Sequence, residues 1–204
     1  MANTIAGAGV TVGLHAFLEG RDMPPKSGLE CLAHIKAGLK PGLPIRFATV
    51  AGRFYPMDRD KRWDRVTLAY DAMGDARGTH AARPEEAVDK AYAADLSDEF
   101  VLPAAIDGYG GMKDGDGLMM FNFRADRARE IASAFVRDDF DGFVRPRRTQ
   151  LARFVCLTEY DATLPAAVAY APDELRDTFG DVLAAHARTQ LRIADTAKYA
   201  RAPL

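Results

Sequence analysis

The sequence predicts an α/β fold, with a central, mostly parallel sheet flanked by helices in a single three-layer domain. Two observations carry that prediction. Short apolar runs alternate with amphipathic stretches of helical spacing along the chain, the pattern of strand–helix–strand units. No internal repeat or low-complexity linker divides the 204 residues, a length that supports one domain with a sizeable core.

The elements follow in order. Residues 10–17, VTVGLHAF, read as a strand ending in EGRD. PPKSGLECLAHIKAGL opens a helix: Ser27 and Glu30 have capping-box spacing, and Leu29, Leu32, Ala33 and Leu39 supply an apolar face. Pro41, Gly42 and Pro44 stop it, and IRFATVAG is the next strand. From Arg62 the spacing turns helical, with Trp63, Val66, Tyr70 and Met73 on one face. After a polar break at 74–79, Pro84, Glu85 and Glu86 start a helix that turns Val88, Ala91 and Tyr92 inward. FVLPAAI is a short strand, and residues 107–117, with two Asp-Gly signals, read as a mobile loop or hairpin. LMMFNF is a strand, and RADRAREIASAFV a helix presenting Ala128, Ile131, Ala132 and Phe135. A solvated basic loop with Arg145, Arg147 and Arg148 leads to the strand FVCLTEYD. PDELRDTFGDVLAAHA is expected as a helix stacking Leu175, Phe179, Val182 and Leu183, and QLRIADTAKYA as a strand and tail.

Composition bounds the function. With 27 basic and 29 acidic residues the net charge is −2, so no global field favours nucleic acid or an anionic membrane. Any anion site must be local. No apolar run approaches the about 18 residues of a membrane span, and MANTIAGAGVTVGL lacks the basic start of a signal peptide; a cytoplasmic location is expected. Cys31 and Cys156 share no metal or redox spacing and read as reduced, buried thiols. The four histidines include no pair with metal-site spacing, and His15 reads as a core or rim residue.

The informative feature is where the arginines fall. Three predicted strands run into segments that carry arginine at once: AFLEGRD, TVAGRF and FNFRADR. Ligands of largely parallel α/β sheets bind beyond the carboxyl ends of the strands, so Arg21, Arg53 and Arg124 should meet on one rim. Arg59 lies in the irregular stretch after Arg53. Arg124 and Arg127 are expected to share a face in the first turn of a helix, where cations oppose the helix dipole unless an oxyanion binds there. Ion pairing with Asp126 and Glu130 is the alternative. Guanidinium forks match carboxylate and phosphate oxygens in pairs, and Asp22 beside Arg21 is placed to act as a general base or acid.

HAFLEGRDMPPKSG, TVAGRFYPMDRDKRWDR, FNFRADRAR, LTEYD, LPAAVAY and LRIADTAKYA, in this order, resemble the cofactor-independent (2,3-bisphosphoglycerate-independent) phosphoglycerate mutases over residues 12–200. That family interconverts 3-phosphoglycerate and 2-phosphoglycerate in glycolysis and gluconeogenesis. It uses a phosphatase-like domain carrying two Mn²⁺ ions and a serine nucleophile, with a phosphotransferase domain inserted in it. The resemblance covers only the inserted domain. It implies that Arg21 and Asp22 hold the glycerate, with Asp22 moving the proton between its hydroxyls. It also implies that Arg53 and Arg59 bind carboxylate and phosphate oxygens, that Arg124 and Arg127 grip the phosphate, and that Lys198 is the substrate lysine near the return crossover.

Residues 1–11 do not match the histidine-bearing segment expected before the first strand, and residues 195–204 read as a tail at the crossover to a missing domain. Glu19 stands where the family has aspartate. The chain is therefore expected to be a truncated, substrate-binding phosphotransferase domain without a metal site or other cofactor. It is expected to be inactive alone, to need a phosphatase domain in trans, and to have neither nucleic-acid nor membrane partners. A stand-alone phosphoglycerate-binding or regulatory module, and an inert gene remnant, remain alternatives.

Overall fold

A computed structural model describes residues 1–173, 176–191 and 193. Helix α1 (Ala2–Gly7) precedes strand β1 (Val12–Leu18), and α2 (Gly28–Gly38) carries the chain to β2 (Ile45–Gly52). Helix α3 (Trp63–Asp75), strand β3 (Thr79–Ala81), α4 (Pro84–Ala93), a 3₁₀ turn (Asp98–Phe100) and β4 (Ala104–Ile106) follow. Then come β5 (Gly117–Met120), a second 3₁₀ turn (Ala125–Arg127), α5 (Arg129–Val136), β6 (Arg153–Thr158), β7 (Ala167–Tyr170) and α6 (Phe179–Ala185).

The α/β class and the mainly parallel pairing hold, but the strands form two sheets rather than one central sheet. The first has the order β1-β2-β4-β3 and the second β5-β6-β7. Among the described strands only the β2–β4 pairing is antiparallel. The break between the sheets lies in the connection after β4. Gly108, Gly111 and Gly115 take positive φ there, a region glycine enters without steric cost. The Met112 N–H donates to Gly74 O at 2.8 Å and the Gly115 N–H to Gln150 O at 2.9 Å. This segment is thus a hydrogen-bonded crossover between sheets and not a hairpin.

Each sheet has its own core. Leu18, Phe47, Val50 and Val101 pack with Leu32 of α2 and Val88 of α4. Val66, Tyr70 and Met73 of α3 and Ile131 and Phe135 of α5 pack with Met120, Phe154, Cys156 and Tyr160. The helical period of 63–75 therefore holds. Burial pushes the Cys156 thiol up to about 11, which keeps it protonated, whereas Cys31 is only partly buried. His15 is partly buried beside the first sheet's core: its Nδ1 pairs with Thr49 Oγ1 at 2.9 Å, and desolvation lowers its pKa to about 4.

Three local expectations are corrected. Ser27 precedes α2 without capping it through its side chain; its hydroxyl donates to Pro24 O at 2.9 Å instead. Arg145, Arg147 and Arg148 do not form a solvated loop. Arg145 donates to Ala134 O and Arg137 O, both at 3.0 Å, and Arg148 to Val136 O at 3.2 Å. Both thereby satisfy carbonyls at the end of α5, where cations also suit the dipole. Arg147 donates to Met112 O at 2.6 Å. Finally, α6 begins at Thr178 with a complete Thr178–Asp181 capping box, yet Phe179 and Val182 are exposed. The predicted stack is absent there, and Leu175 lies outside the described residues.

Candidate anion site at the strand ends

Parallel pairing of β1 and β2 puts their carboxyl ends at one edge. Because β4 runs antiparallel to β2, the residues leading into β4 reach that same edge. There the Gly52 N–H donates to Val101 O at 2.7 Å, the Phe54 N–H to Glu99 O at 3.1 Å and the Arg53 N–H to Leu18 O at 2.8 Å. The approach is too close for side chains. A Cβ at Gly20, which sits at φ +69°, would lie 2.5 Å from Glu99 N, and one at Gly52 would lie 2.2 Å from Glu99 O.

Asp98 anchors this turn. It is 1% exposed and accepts the Ser27 N–H at 2.8 Å and the Tyr92 hydroxyl at 2.5 Å, which ties the start of α2 to the end of α4. Burial, then the bond and charge of Asp98, push the Tyr92 phenol up to about 12. Asp98→Ala is expected to cost about 3 kcal/mol, because two donors lose their acceptor inside the protein. Urea denaturation with an unchanged slope measures it, and a loss below about 1 kcal/mol would mean the anchor is dispensable.

Around this edge the structure gathers the arginines singled out from the sequence. Arg53 is 4% exposed; its Nη1 pairs with Glu19 and lies 3.5 Å from Asp22 Oδ2. Arg21 lies 3.8 Å from Glu99. Arg59 and Arg124 share Asp126, at 3.1 and 3.4 Å, and Arg127 donates to Met57 O at 2.9 Å. The Arg59–Asp126 and Arg127–Met57 contacts join the segment after β5 to the loop after β2.

The guanidinium groups feel one another. Burial, then the charges of Arg59, Arg21 and Arg124, lower the Arg127 pKa, with Asp126 opposing. Burial, then Arg127, likewise lowers Arg53. The Nε atoms of Arg53 and Arg127 are buried without a hydrogen-bond partner among the described residues. Crowded, partly desolvated cations of this kind gain from an oxyanion with several acceptor oxygens.

Two expectations change. Arg124 precedes and Arg127 ends a 3₁₀ turn, and neither lies in the first turn of α5, which begins at Arg129. Asp126 does pair with the arginines, but Glu130 accepts the Lys61 N–H at 2.8 Å instead. Asp22 is largely exposed at the rim, with its N–H on Glu19 at 3.2 Å. Lys198 lies outside the described residues. Nothing in the spacing around Asp98 and Glu99 marks their roles; the glycines at 20, 28 and 52, all closely approached by this turn, are the available signal. Among the described residues no group of three or more His, Cys, Asp and Glu is placed to hold a metal ion. No helix among the described residues is long and apolar enough to cross a membrane.

Comparison with known proteins adds a family. The model for "BPG-independent PGAM N-terminus" matches residues 1–162. The 2,3-bisphosphoglycerate-independent phosphoglycerate mutase of Pseudomonas fluorescens is 48% identical over 188 residues, 92% of this chain and 37% of the relative. That of Rhodopseudomonas palustris is 45% identical over 201 residues, 98% of this chain and 40% of the relative. A crystal structure of Leishmania mexicana phosphoglycerate mutase at low cobalt concentration superposes with a TM-score of 0.80 at 26% identity, over 90% of this chain and 36% of that one. The chain thus spans about two fifths of the length of these curated relatives.

Proposed function

The chain belongs to the BPG-independent phosphoglycerate mutase N-terminus family, and we propose that it is the part of such a mutase that holds 3-phosphoglycerate and 2-phosphoglycerate. The observation that carries the reading is the convergence of Arg21, Arg53, Arg59, Arg124 and Arg127 from three strand ends, with two of them buried enough to shift. A phosphoglycerate carries a carboxylate and a phosphate on one three-carbon chain, so it offers acceptors to several guanidinium groups at once.

In this reading Arg53 and Arg59 take carboxylate and phosphate oxygens, and Arg124 and Arg127 hold the phosphate. Arg21 closes the rim. Asp22, exposed and beside Arg53, takes the proton from one glycerate hydroxyl and returns it to the other as the phosphoryl group changes position. Lys198 is assigned to the substrate on the resemblance alone. In this reading the nucleophile and the Mn²⁺ pair belong to a phosphatase-like domain outside these 204 residues, and the setting is the cytoplasm.

Calorimetric titration tests this. The isolated chain is expected to bind 3-phosphoglycerate, and to yield 2-phosphoglycerate only when the serine-bearing domain of a relative and Mn²⁺ are added. Absence of binding would overturn the anion-site reading. Robust conversion by the chain alone would overturn the division of labour.

A further inference from the structure

Two buried acids meet beneath the turn that carries Arg59. Asp58, 4% exposed, accepts the N–H of Asp60 at 2.9 Å, the N–H of Arg62 at 3.0 Å and the Arg62 guanidinium at 2.9 Å, with Arg65 at 3.9 Å. Glu130, 8% exposed, takes the Lys61 N–H on Oε1. Its Oε2 is buried without a donor among the described residues, and the Asp58 side chain is within hydrogen-bonding reach. Two ionised carboxylates so placed accept and repel; one proton between them turns repulsion into a bond.

The surroundings say which acid keeps the proton. Burial raises Asp58, but the N–H groups of Arg62 and Asp60 and the Arg62 side chain outweigh it, and its carboxyl lies below the usual range. Glu130 is pushed up to about 7 by burial first, then by the negative charges of Asp58 and Asp60, against the Lys61 N–H. Arg62, Arg65 and Asp60 face the pair from the turn and α3, and Asp126, Arg127 and Arg129 flank Glu130 on its own segment. None of the arginines donates to Oε2. The bond to Lys61 also holds a non-glycine residue at φ +57°, which requires support from its neighbours.

We propose that Glu130 is a positioning residue for Arg59: it shares one proton with Asp58 through Oε2 while Oε1 holds the Lys61 N–H, and this lock aims the 58–62 turn at the anion site. Its functional weight rests on the phosphoglycerate reading above; the shared proton does not. The sign follows from linkage. The folded chain keeps a proton that an unfolded glutamate releases above its ordinary 4.5, so stability falls as pH climbs from there to about 7. Above that, the two acids repel and the turn loosens.

The test combines side-chain carboxyl NMR with calorimetry. In the ligand-free chain Glu130 is expected to titrate near pH 7. Glu130→Gln accepts from Lys61 and donates to Asp58 at every pH, so it should hold the turn throughout. The wild-type chain should lose about threefold to tenfold in 3-phosphoglycerate affinity between pH 6.5 and 8 beyond what the Gln variant loses. The amides of 58–62 should shift with pH in the wild type only. Glu130→Leu should bind weakly at both pH values. Titration of Glu130 below pH 5, or a Gln variant with the wild-type pH profile, would overturn the proposal. A chain that binds no phosphoglycerate sinks the anion site alone, and the carboxyl and amide titrations still decide the shared proton.

Discussion

Replacing Arg53 and Arg124 together with alanine is expected to abolish detectable 3-phosphoglycerate binding while the chain still folds. Each arginine gives the ligand charge-assisted hydrogen bonds worth about 1.5–3 kcal/mol. The pair therefore costs about 3–6 kcal/mol, or at least about a hundredfold in affinity. The two residues enter from different sheets, so their effects are not the loss of one local feature. Folding should survive because the removed charges repel their neighbours: Arg127 is freed of Arg124, and Asp126 keeps Arg59. Glu19 loses its guanidinium partner but is part-exposed and can be hydrated. Calorimetry with circular dichroism as the folding control measures this, and an affinity within about threefold of wild type would remove the clamp.

Gly52→Ala should be the most damaging single exchange for the fold. An added Cβ would stand 2.2 Å from Glu99 O and 2.4 Å from both Asp98 O and Glu99 C. These are backbone atoms, so no rotamer change relieves the clash. The turn is also held by the Gly52 bond to Val101 and by the Asp98 side chain. Either β2 or the turn must move, and both carry site residues. We expect a loss of about 4 kcal/mol or more. Gly38→Ala, at the end of α2 with nothing within 4 Å of the new Cβ, is the control and should be neutral or stabilising by up to about 1 kcal/mol. Thermal melting separates the two. Equal melting temperatures would show that the close approach carries no energetic weight.

Much of this architecture could be read in advance where the information is local. The β-branched run before Gly52 and the spacing of Trp63, Val66, Tyr70 and Met73 placed β2 and α3 as they stand. Arginine soon after a strand is also a local signal, which is why Arg21, Arg53 and Arg124 could be singled out as candidates. The division into two sheets was not legible, because short apolar runs carry no mark of direction or partner. The antiparallel β4, three residues long, brings Glu99 to the rim. Asp98 contacts Ser27 across 71 positions of sequence, beyond any pattern of spacing. The helical start expected at Arg124 is displaced: Ala125–Arg127 form a 3₁₀ turn, Arg127 donates to the Met57 carbonyl, and α5 begins at Arg129.

The sharing of Asp126 by Arg59 and Arg124 has a bearing on selectivity. If the site takes a phosphoglycerate as proposed, a ligand reaching Arg59 and Arg124 must first displace a carboxylate that the chain itself supplies. A monoanion is then expected to gain little at these two arginines by swapping like for like, and a doubly charged phosphate to gain more. Valence would thereby contribute to discrimination alongside shape.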